Sequence, residues 1–320
     1  MTTYILRRLV LMIPVAFLVT IGVFALARLS PADPVIVFAG EDRDPVVLAA
    51  IRRDLGLDQP VPVQYVAWLS RAMQGDLGRS FQTKQKVSEA IIERLPATFE
   101  LGLAALGISI TFALVIGILS AIKRNSFVDL LSSSITLMGV SFPTFFLGVL
   151  LILLFAYVIP GRIFPPGGYV PLTTDVSENL RRLVLPAVTL ATASLALNLR
   201  QVRSSLLDVF GHDYMRTARA KGLRERTVIV RHALKNALIP VVTLVGIQIG
   251  AIIEGAVITE TIFFWPGVGR LAVQAIPSND YPVVQGVVLV SAFSFMLSTL
   301  LVDVLYAWID PRISYDTAAA

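Results

Sequence analysis

Long apolar runs separated by polar segments are the main pattern along this chain of 320 residues. Six runs come close to or exceed the roughly 20 residues that a helix needs to cross a hydrocarbon core of about 30 Å. They cover residues 9–27, 97–122, 130–158, 183–199, 237–264 and 287–308. The fourth run is the weakest, because Pro186 lies early in it and polar residues interrupt it. The pattern predicts an all-α, polytopic membrane protein with six transmembrane helices.

Lysine and arginine are distributed unequally between the two sides of these runs. One side carries 14 of them, nine within residues 200–236, whereas the short segments on the other side carry four. Because short basic loops stay in the cytoplasm, both termini and the loop 200–236 are predicted to be cytoplasmic and the long first loop extracytoplasmic. Ala25-Leu26-Ala27 also fits a signal-peptide cleavage site. An uncharged run of 19 residues is longer than a usual signal core, so we expect a retained anchor.

These predictions divide the chain into three parts. They are an N-terminal transmembrane anchor helix, an extracytoplasmic segment and a five-helix core, at residues 1–29, 30–96 and 97–320. The core contains the cytoplasmic loop 200–236. Within the extracytoplasmic segment, Pro45–Asp54 and 63–73 predict two short amphipathic helices, with prolines breaking the chain between them.

Composition narrows the function further. Hydrophobic residues make up 55% of the chain and charged residues 15%, with a mean hydropathy of +0.75, which excludes an ordinary soluble domain. The loop 200–236, with nine basic and three acidic residues, accounts for the net charge of +5, so we expect no nucleic-acid partner. The chain has no cysteine, and its two histidines lack companions at ligand spacing, so we expect no metal site. No G-x-x-x-x-G-K-[ST] sequence occurs, so any ATP must be bound by another subunit.

The cytoplasmic loop 200–236 has the pattern of a helix, a glycine and a second helix. We expect Asp208 and Asp213 early in the first helix and Arg219 late in it, which suits the helix dipole. Gly222 then follows as a C-terminal stop, where glycine is favoured because it adopts a left-handed conformation. Charge alone leaves two interpretations open. The loop either fixes only the membrane orientation or docks a soluble partner.

The residue order in the loop favours docking. The sequences TARAKG at 217–222 and RHALKNALIP at 231–240 resemble the cytoplasmic coupling loop of ABC-importer permeases of the peptide/nickel family. Arg216 stands at a usual Glu position, Thr217 at an Ala position and Lys235 at a late Pro position, as in the peptide branch. Further blocks that keep the family's order are DLGLDQP at 54–60, GDLG at 75–78, WPGVGR at 265–270 and DYPVVQG at 280–286. The chain thus resembles the B-type subunit of dipeptide or oligopeptide permeases.

The resemblance implies a function and a set of partners. It implies a non-catalytic permease of the bacterial inner membrane that imports di- or oligopeptides, with glutathione, nickel or sugar oligomers as open alternatives. A homologous C-type permease would pair with it within membrane lipid, and an extracytoplasmic binding protein would deliver the solute. Two ATP-binding subunits would hold ATP and Mg, and this chain itself would hold no cofactor. We expect Ala218 on the face that docks. The implied coupling residues are Asp213, Tyr214, Arg216, Thr217, Ala218, Ala220, Lys221, Gly222 and His232.

Three residues within the apolar runs are candidates for the translocation path. Glu254 lies mid-run, where a charge in lipid is costly, Glu260 lies nearer a run end, and Pro143 interrupts the third run. Each has a structural alternative: a paired or protonated carboxyl, a structural carboxylate and a packing kink, respectively. A proton-coupled secondary transporter using the two glutamates is a rival function, although no internal repeat supports it. A purely structural anchor is a second rival, against which Glu254 and Asp303 count.

Overall fold

The computed structural model describes residues 2–29, 33–41, 43–159 and 163–309. Within these ranges the chain forms sixteen α-helices, and its only strand-like feature is a bridge between Arg79 and Lys86. Two π-helical segments, Leu153–Val158 and Val228–Ala233, continue α7 and α10. In chain order the helices are α1 (Thr2–Leu29), α2 (Pro34–Ala39), α3 (Pro45–Asp54), α4 (Val61–Met73), α5 (Val87–Ile122), α6 (Phe127–Ser141), α7 (Thr144–Ile152), α8 (Val176–Phe210), α9 (Asp213–Ala220), α10 (Glu225–Thr227), α11 (Leu234–Ala237), α12 (Ile239–Gly250), α13 (Ile252–Gly255), α14 (Val257–Ile262), α15 (Val268–Ala275) and α16 (Tyr281–Ile309).

Four of the described helices, α1, α5, α8 and α16, are long and apolar enough to cross a membrane. Two bent pairs qualify when each is taken as one span. The first joins Phe127–Ser141 to Thr144–Phe155 at 102°, and the second joins Glu225–Ala237 to Ile239–Gly250 at 50°. The described chain therefore holds four to six candidate spans, and the predicted six is the upper end of that range.

The third apolar run breaks at Pro143, as its sequence predicts. Phe142 ends α6 in an extended conformation, and Pro143 caps the start of α7. Proline donates no backbone N–H and disfavours a helical residue before it, so the helix stops there. The size of the bend, 102°, was not predicted, and it makes the run two helices rather than one straight span.

The fifth apolar run is also divided, and no proline lies at the breaks between α12, α13 and α14. Single residues, Ala251 and Ala256, separate α12, α13 and α14. Close packing holds α12 against α16. A Cβ at Gly250 would meet the Ser298 Cβ at 2.7 Å, and one at Gly246 would overlap Val302. Small residues at this spacing allow the two backbones to approach closely.

Helices α5 and α8 pack along each other at the centre of the bundle. A Cβ at Gly117 of α5 would meet Val202 of α8 at 2.8 Å, so the contact requires glycine. Fully buried Leu101, Leu199 and Leu206 fill the space around this pair. Apolar burial on both helices holds α8 in place, and α9 follows directly after its end.

The segment 30–96 contains the two helices that its sequence predicts. Pro45–Asp54 forms α3, and α4 begins at Val61, two residues before the predicted start. Pro62 lies in the first turn of α4. Backbone N–H groups in this turn have no partner within the helix, so the N–H that proline lacks costs no hydrogen bond. Helix α5 runs through the division placed at residue 97, and that division stays a prediction.

Candidate functional site

The loop 200–236 has the predicted arrangement of helix, glycine and helix. The backbone N–H of Gly222 donates to the Arg219 carbonyl at 2.9 Å, and that of Lys221 donates to the Thr217 carbonyl at 3.1 Å. Gly222 has a φ of +73°, the left-handed region that glycine enters without steric cost. One detail of the prediction is wrong, because Asp208 lies in the last turn of α8 rather than early in α9.

Helix α9 has a buried apolar side and an exposed polar side. Met215 and Ala218 pack into a core cluster with Leu206 and Val228, and Met215 has no exposed surface. The expectation that Ala218 lies on the docking face is therefore wrong. Its spacing of three from Met215 was the signal for a shared inner face. From Asp213 to Gly222 the exposed residues are Asp213, Tyr214, Arg216, Thr217, Arg219, Ala220, Lys221 and Gly222.

Polar contacts hold the second half of the loop against the first. Arg219 pairs with Glu225 at 2.9 Å, and the Asn236 amide donates to the Tyr214 hydroxyl at 2.9 Å. The hydrogen bond to Glu225 raises the pKa of the Arg219 guanidinium, which stays charged. His232 lies half-buried in the π-helical segment Val228–Ala233. These contacts fix the angle at which α9 leaves the bundle.

A partly buried ion pair ties α8 to α6 ahead of α9. The Arg203 guanidinium donates to both carboxylate oxygens of Asp129, at 2.6 and 2.9 Å. Asp129 is buried and also accepts from the Ser120 hydroxyl at 2.6 Å and the Asn125 backbone N–H at 3.0 Å. Sequence reasoning missed this pair, since no local pattern joins residues 74 positions apart.

Glu254 lies in the short helix α13, between α12 and α14. Its side chain is exposed, and within the described residues it makes no hydrogen bond or ion pair. Exposed Ile247 lies seven residues before it, and exposed Ile258 and Thr261 lie four and seven residues after it. The Glu254 carboxylate of α13 thus lies in the chain between an exposed isoleucine of α12 and an exposed isoleucine of α14.

Glu260, in contrast, is enclosed by protein. The Thr98 hydroxyl donates to one carboxylate oxygen at 2.7 Å, and the Arg270 backbone N–H donates to the other at 2.8 Å. Gly267 lies so close that any Cβ there would overlap the Glu260 carboxylate. The carboxylate holds the WPGVGR turn against α5, and the Trp265 indole N–H adds a bond to the α5 backbone at 2.7 Å. Among the described contacts, no hydrogen bond or ion pair joins Glu254, Glu260 and Pro143 into one site.

Two further carboxylates, those of Glu100 and Asp303, make polar contacts near the ends of the bundle. The Glu100 carboxylate accepts from the Tyr169 hydroxyl at 3.1 Å and from the Asn179 amide at 2.6 Å. Burial and the Glu100 charge raise the pKa of Tyr169 to about 12. Asp303 of α16 pairs with Arg8 of α1 at 3.1 Å. In the part of the chain that the structure describes, no group of three His, Asp or Glu side chains is arranged to hold a metal ion.

Comparisons with known proteins identify the family of this chain. The chain matches the binding-protein-dependent transport system inner membrane component over residues 113–315 and the N-terminal component of such systems over 1–102. A protein of Brucella suis biovar 1 (strain 1330) named as a peptide transport system permease is 44% identical over 316 residues, 99% of this chain and 100% of the relative. The glutathione transport system permease GsiC of Pectobacterium atrosepticum is 41% identical over 315 residues, 98% of this chain and 100% of that protein. A crystal structure of an amino acid ABC transporter with histidines covers 77% of this chain and 98% of its own, at a TM-score of 0.48 and 17% identity. The resemblance seen in the loop is confirmed, and the chain belongs to the binding-protein-dependent transport system inner membrane component family, as a non-catalytic permease of an ABC importer.

Proposed function

We propose that this chain is the B-type permease of an importer that carries di- or oligopeptides into the cytoplasm. Relatives at 44% and 41% identity are named for peptide and for glutathione transport. Glutathione is itself a short peptide, so both names point to the same class of solute. Glutathione is accordingly the second candidate.

Helix α9 is the observation that supports this proposal most directly. Its apolar side is fixed to the bundle through Met215 and Ala218, while its polar side faces away from the bundle. A helix held in this way presents Arg216, Thr217 and Lys221 at a fixed angle to a soluble partner. We assign the ATP-binding subunit as that partner, Gly222 as the residue that sets the turn, and His232 as a brace between the two halves of the loop.

Helix α8 connects the loop to the rest of the permease. It has 35 residues, which at 1.5 Å per residue gives a rod of about 52 Å. Closure of the ATP-binding subunits would move α9, and α8 would carry that movement through the bundle as a rigid element. Arg203 would pass it to α6 through Asp129. The expected outcome is rocking of two permease halves between two states.

The proposal includes a membrane arrangement and a set of partners. Six spans place both termini and the loop 200–236 in the cytoplasm and the segment 30–96 outside a bacterial inner membrane. The distribution of lysine and arginine supports this orientation. A homologous C-type permease, two ATP-binding subunits and an extracytoplasmic binding protein complete the assembly. ATP and magnesium belong to the ATP-binding subunits.

The face around Glu254 is the proposed side of the translocation path. An unpaired carboxylate in lipid is costly, so this exposed face is expected to meet protein or water in the assembly rather than lipid. Pro143 would contribute by bending the third run beside that path. Glu260 enters the proposal as the residue that fixes the WPGVGR turn at its edge.

Capture of the ATP-binding subunits with the tagged chain tests the docking assignment. Ala220 is exposed on α9, and Ala220→Glu would place an unpaired carboxylate in the proposed interface. Burying such a charge costs several kcal/mol, so we expect capture to fall at least about tenfold. Ala50→Glu makes the same chemical change on exposed α3 and should leave capture unchanged. Equal capture in both variants would refute docking through α9.

A further inference from the structure

The extracytoplasmic segment encloses a cleft that the proposed coupling and path residues leave unused. It has a volume of about 810 Å³ and lies between the outer ends of α1 and α16, helix α4 and the loop 76–81. Sites for small molecules have volumes of roughly 300–1,000 Å³. The cleft is therefore large enough for a solute of a few residues.

Aromatic rings form two opposing parts of its lining. On one side, Phe24 of α1 packs against Trp68 of α4 with ring centroids 5.7 Å apart. On the other, Phe81 packs edge-on against Phe38 at 5.6 Å and against Tyr281 at 6.2 Å. Because each ring is held by another ring, these apolar surfaces are formed before any ligand arrives. They suit the side chains of a short apolar or aromatic molecule.

The same cleft is lined by more arginine side chains than there are carboxylates paired with them. Arg52 pairs with Asp33 at 2.6 Å. Arg28 lies over the Phe24 ring at 4.5 Å and donates to the neutral Gln64, while Arg79 donates to a backbone carbonyl at 3.5 Å. Within the described residues, no carboxylate pairs with any of the three remaining lining guanidinium groups, those of Arg28, Arg71 and Arg79.

The lining also offers a negative charge. Asp54 at the end of α3 lines the cleft, is exposed and has no ion-pair partner among the described residues. A guanidinium recognises a carboxylate, and a carboxylate recognises an ammonium group. The cleft thus combines groups for both ends of a zwitterion with rings for its body.

We propose that this cleft is a binding site for short peptides with free termini, separate from the path through the bundle. Arg71 receives the carboxylate end, Asp54 receives the amino end, and the aromatic walls hold the side chains. The choice of a peptide rests on the proposed function, whereas the need for two opposite charges and an apolar body rests on the lining alone. The site would hold solute at the outer surface before it enters the bundle.

Equilibrium dialysis with radiolabelled alanyl-phenylalanine tests the site. The assembled transporter is placed in lipid nanodiscs without its extracytoplasmic binding protein. We expect saturable binding that Arg71→Ala weakens at least about tenfold, because a charge-assisted hydrogen bond is lost. Arg53→Ala is the matched control, since Arg53 is exposed one residue before Asp54 and does not line the cleft. The N-acetylated, amidated dipeptide, which lacks both charges, should bind at least about tenfold more weakly.

The outcomes separate this inference from the proposed function. Absence of saturable dipeptide binding, or equal binding in Arg71→Ala and Arg53→Ala, overturns the site. A loss of binding-protein capture in Arg71→Ala without any dipeptide binding would assign the cleft to that protein and also overturns it. Uptake of the same dipeptide by the complete transporter is measured in parallel. Uptake without cleft binding overturns only the site, whereas absence of uptake overturns the proposed solute and leaves the dialysis to decide the site.

Discussion

The turn at Gly222 determines how α9 is aimed, and its energetics can be worked out from the structure. Its φ is +73°, and among the described residues other than Gly222 and its two chain neighbours no heavy atom lies within 4 Å of the position that a Cβ would take. A substitution there meets no clash within this chain, so its local effect is the cost of left-handed backbone. For a residue with a Cβ that cost is about 1–2 kcal/mol. It lowers the ratio of the native turn to its alternatives about 5- to 30-fold.

Two substitutions separate backbone conformation from side-chain size. Gly222→Val adds a β-branched side chain, which resists the left-handed region, whereas Gly222→Asn adds a side chain of similar size that visits this region readily. Solute-stimulated ATP hydrolysis is measured on the assembled transporter at equal amounts of inserted chain. We expect Gly222→Val to lower it by up to about 30-fold and Gly222→Asn to stay near wild type.

Equal behaviour of Gly222→Val and Gly222→Asn would contradict this expectation in either of two ways. An equal loss in both variants would mean that a partner contacts this position and that size alone is excluded there. Full activity in both would mean that the handedness of the turn does not set the direction of α9. Either result refutes the reasoning.

Other regions of the chain give predictions that are checked independently. Ala218→Glu should lower the melting temperature and the yield of folded chain, because burying an unpaired carboxylate costs several kcal/mol, and an unchanged melting curve would contradict the buried face of α9. Asp129→Asn should destabilise the chain by up to about 3 kcal/mol by leaving Arg203 without its partner, as measured by chemical denaturation in detergent; no loss would show that the pair is dispensable. Glu254→Gln should reduce uptake of cationic peptides more than that of neutral ones, and an unchanged ratio would remove this residue from the path. Cysteine at Gln82 should react with an impermeant thiol reagent in intact spheroplasts and cysteine at Thr217 only after lysis, whereas labelling of the latter from outside would reverse the proposed orientation.

Local sequence signals predicted the features that depend on local chemistry. Proline stops the helix before Pro143, and glycine ends α9 at Gly222, because each acts through its own backbone. Helix α3 follows in the same way from its apolar spacing and from the proline in its first turn. These are constraints that neighbouring residues impose whatever the rest of the chain does.

The features that sequence reasoning missed depend on distant residues. The pair of Arg203 and Asp129 forms only because α8 packs beside α6. No proline lies at the breaks at Ala251 and Ala256, so the sequence gives no local signal that predicts them. The enclosure of Glu260 likewise depends on Thr98, 162 residues earlier, which no local window includes. Position within the apolar run made both Glu254 and Glu260 candidates for the translocation path, although one is exposed and the other is enclosed.

The unbroken length of α8 imposes a constraint that single substitutions do not reveal. One residue inserted into a helix turns everything after it by about 100° and moves it 1.5 Å along the axis. An insertion between the outer end of α8 and Arg203 would carry this guanidinium away from Asp129 and would aim the polar side of α9 in a new direction. A deletion would do the same in the opposite sense. The number of residues in α8 thus fixes the orientation of α9 relative to the outer end of the helix. Homologous permeases that share the mechanism are expected to vary in loop length on either side of this helix while keeping its residue count.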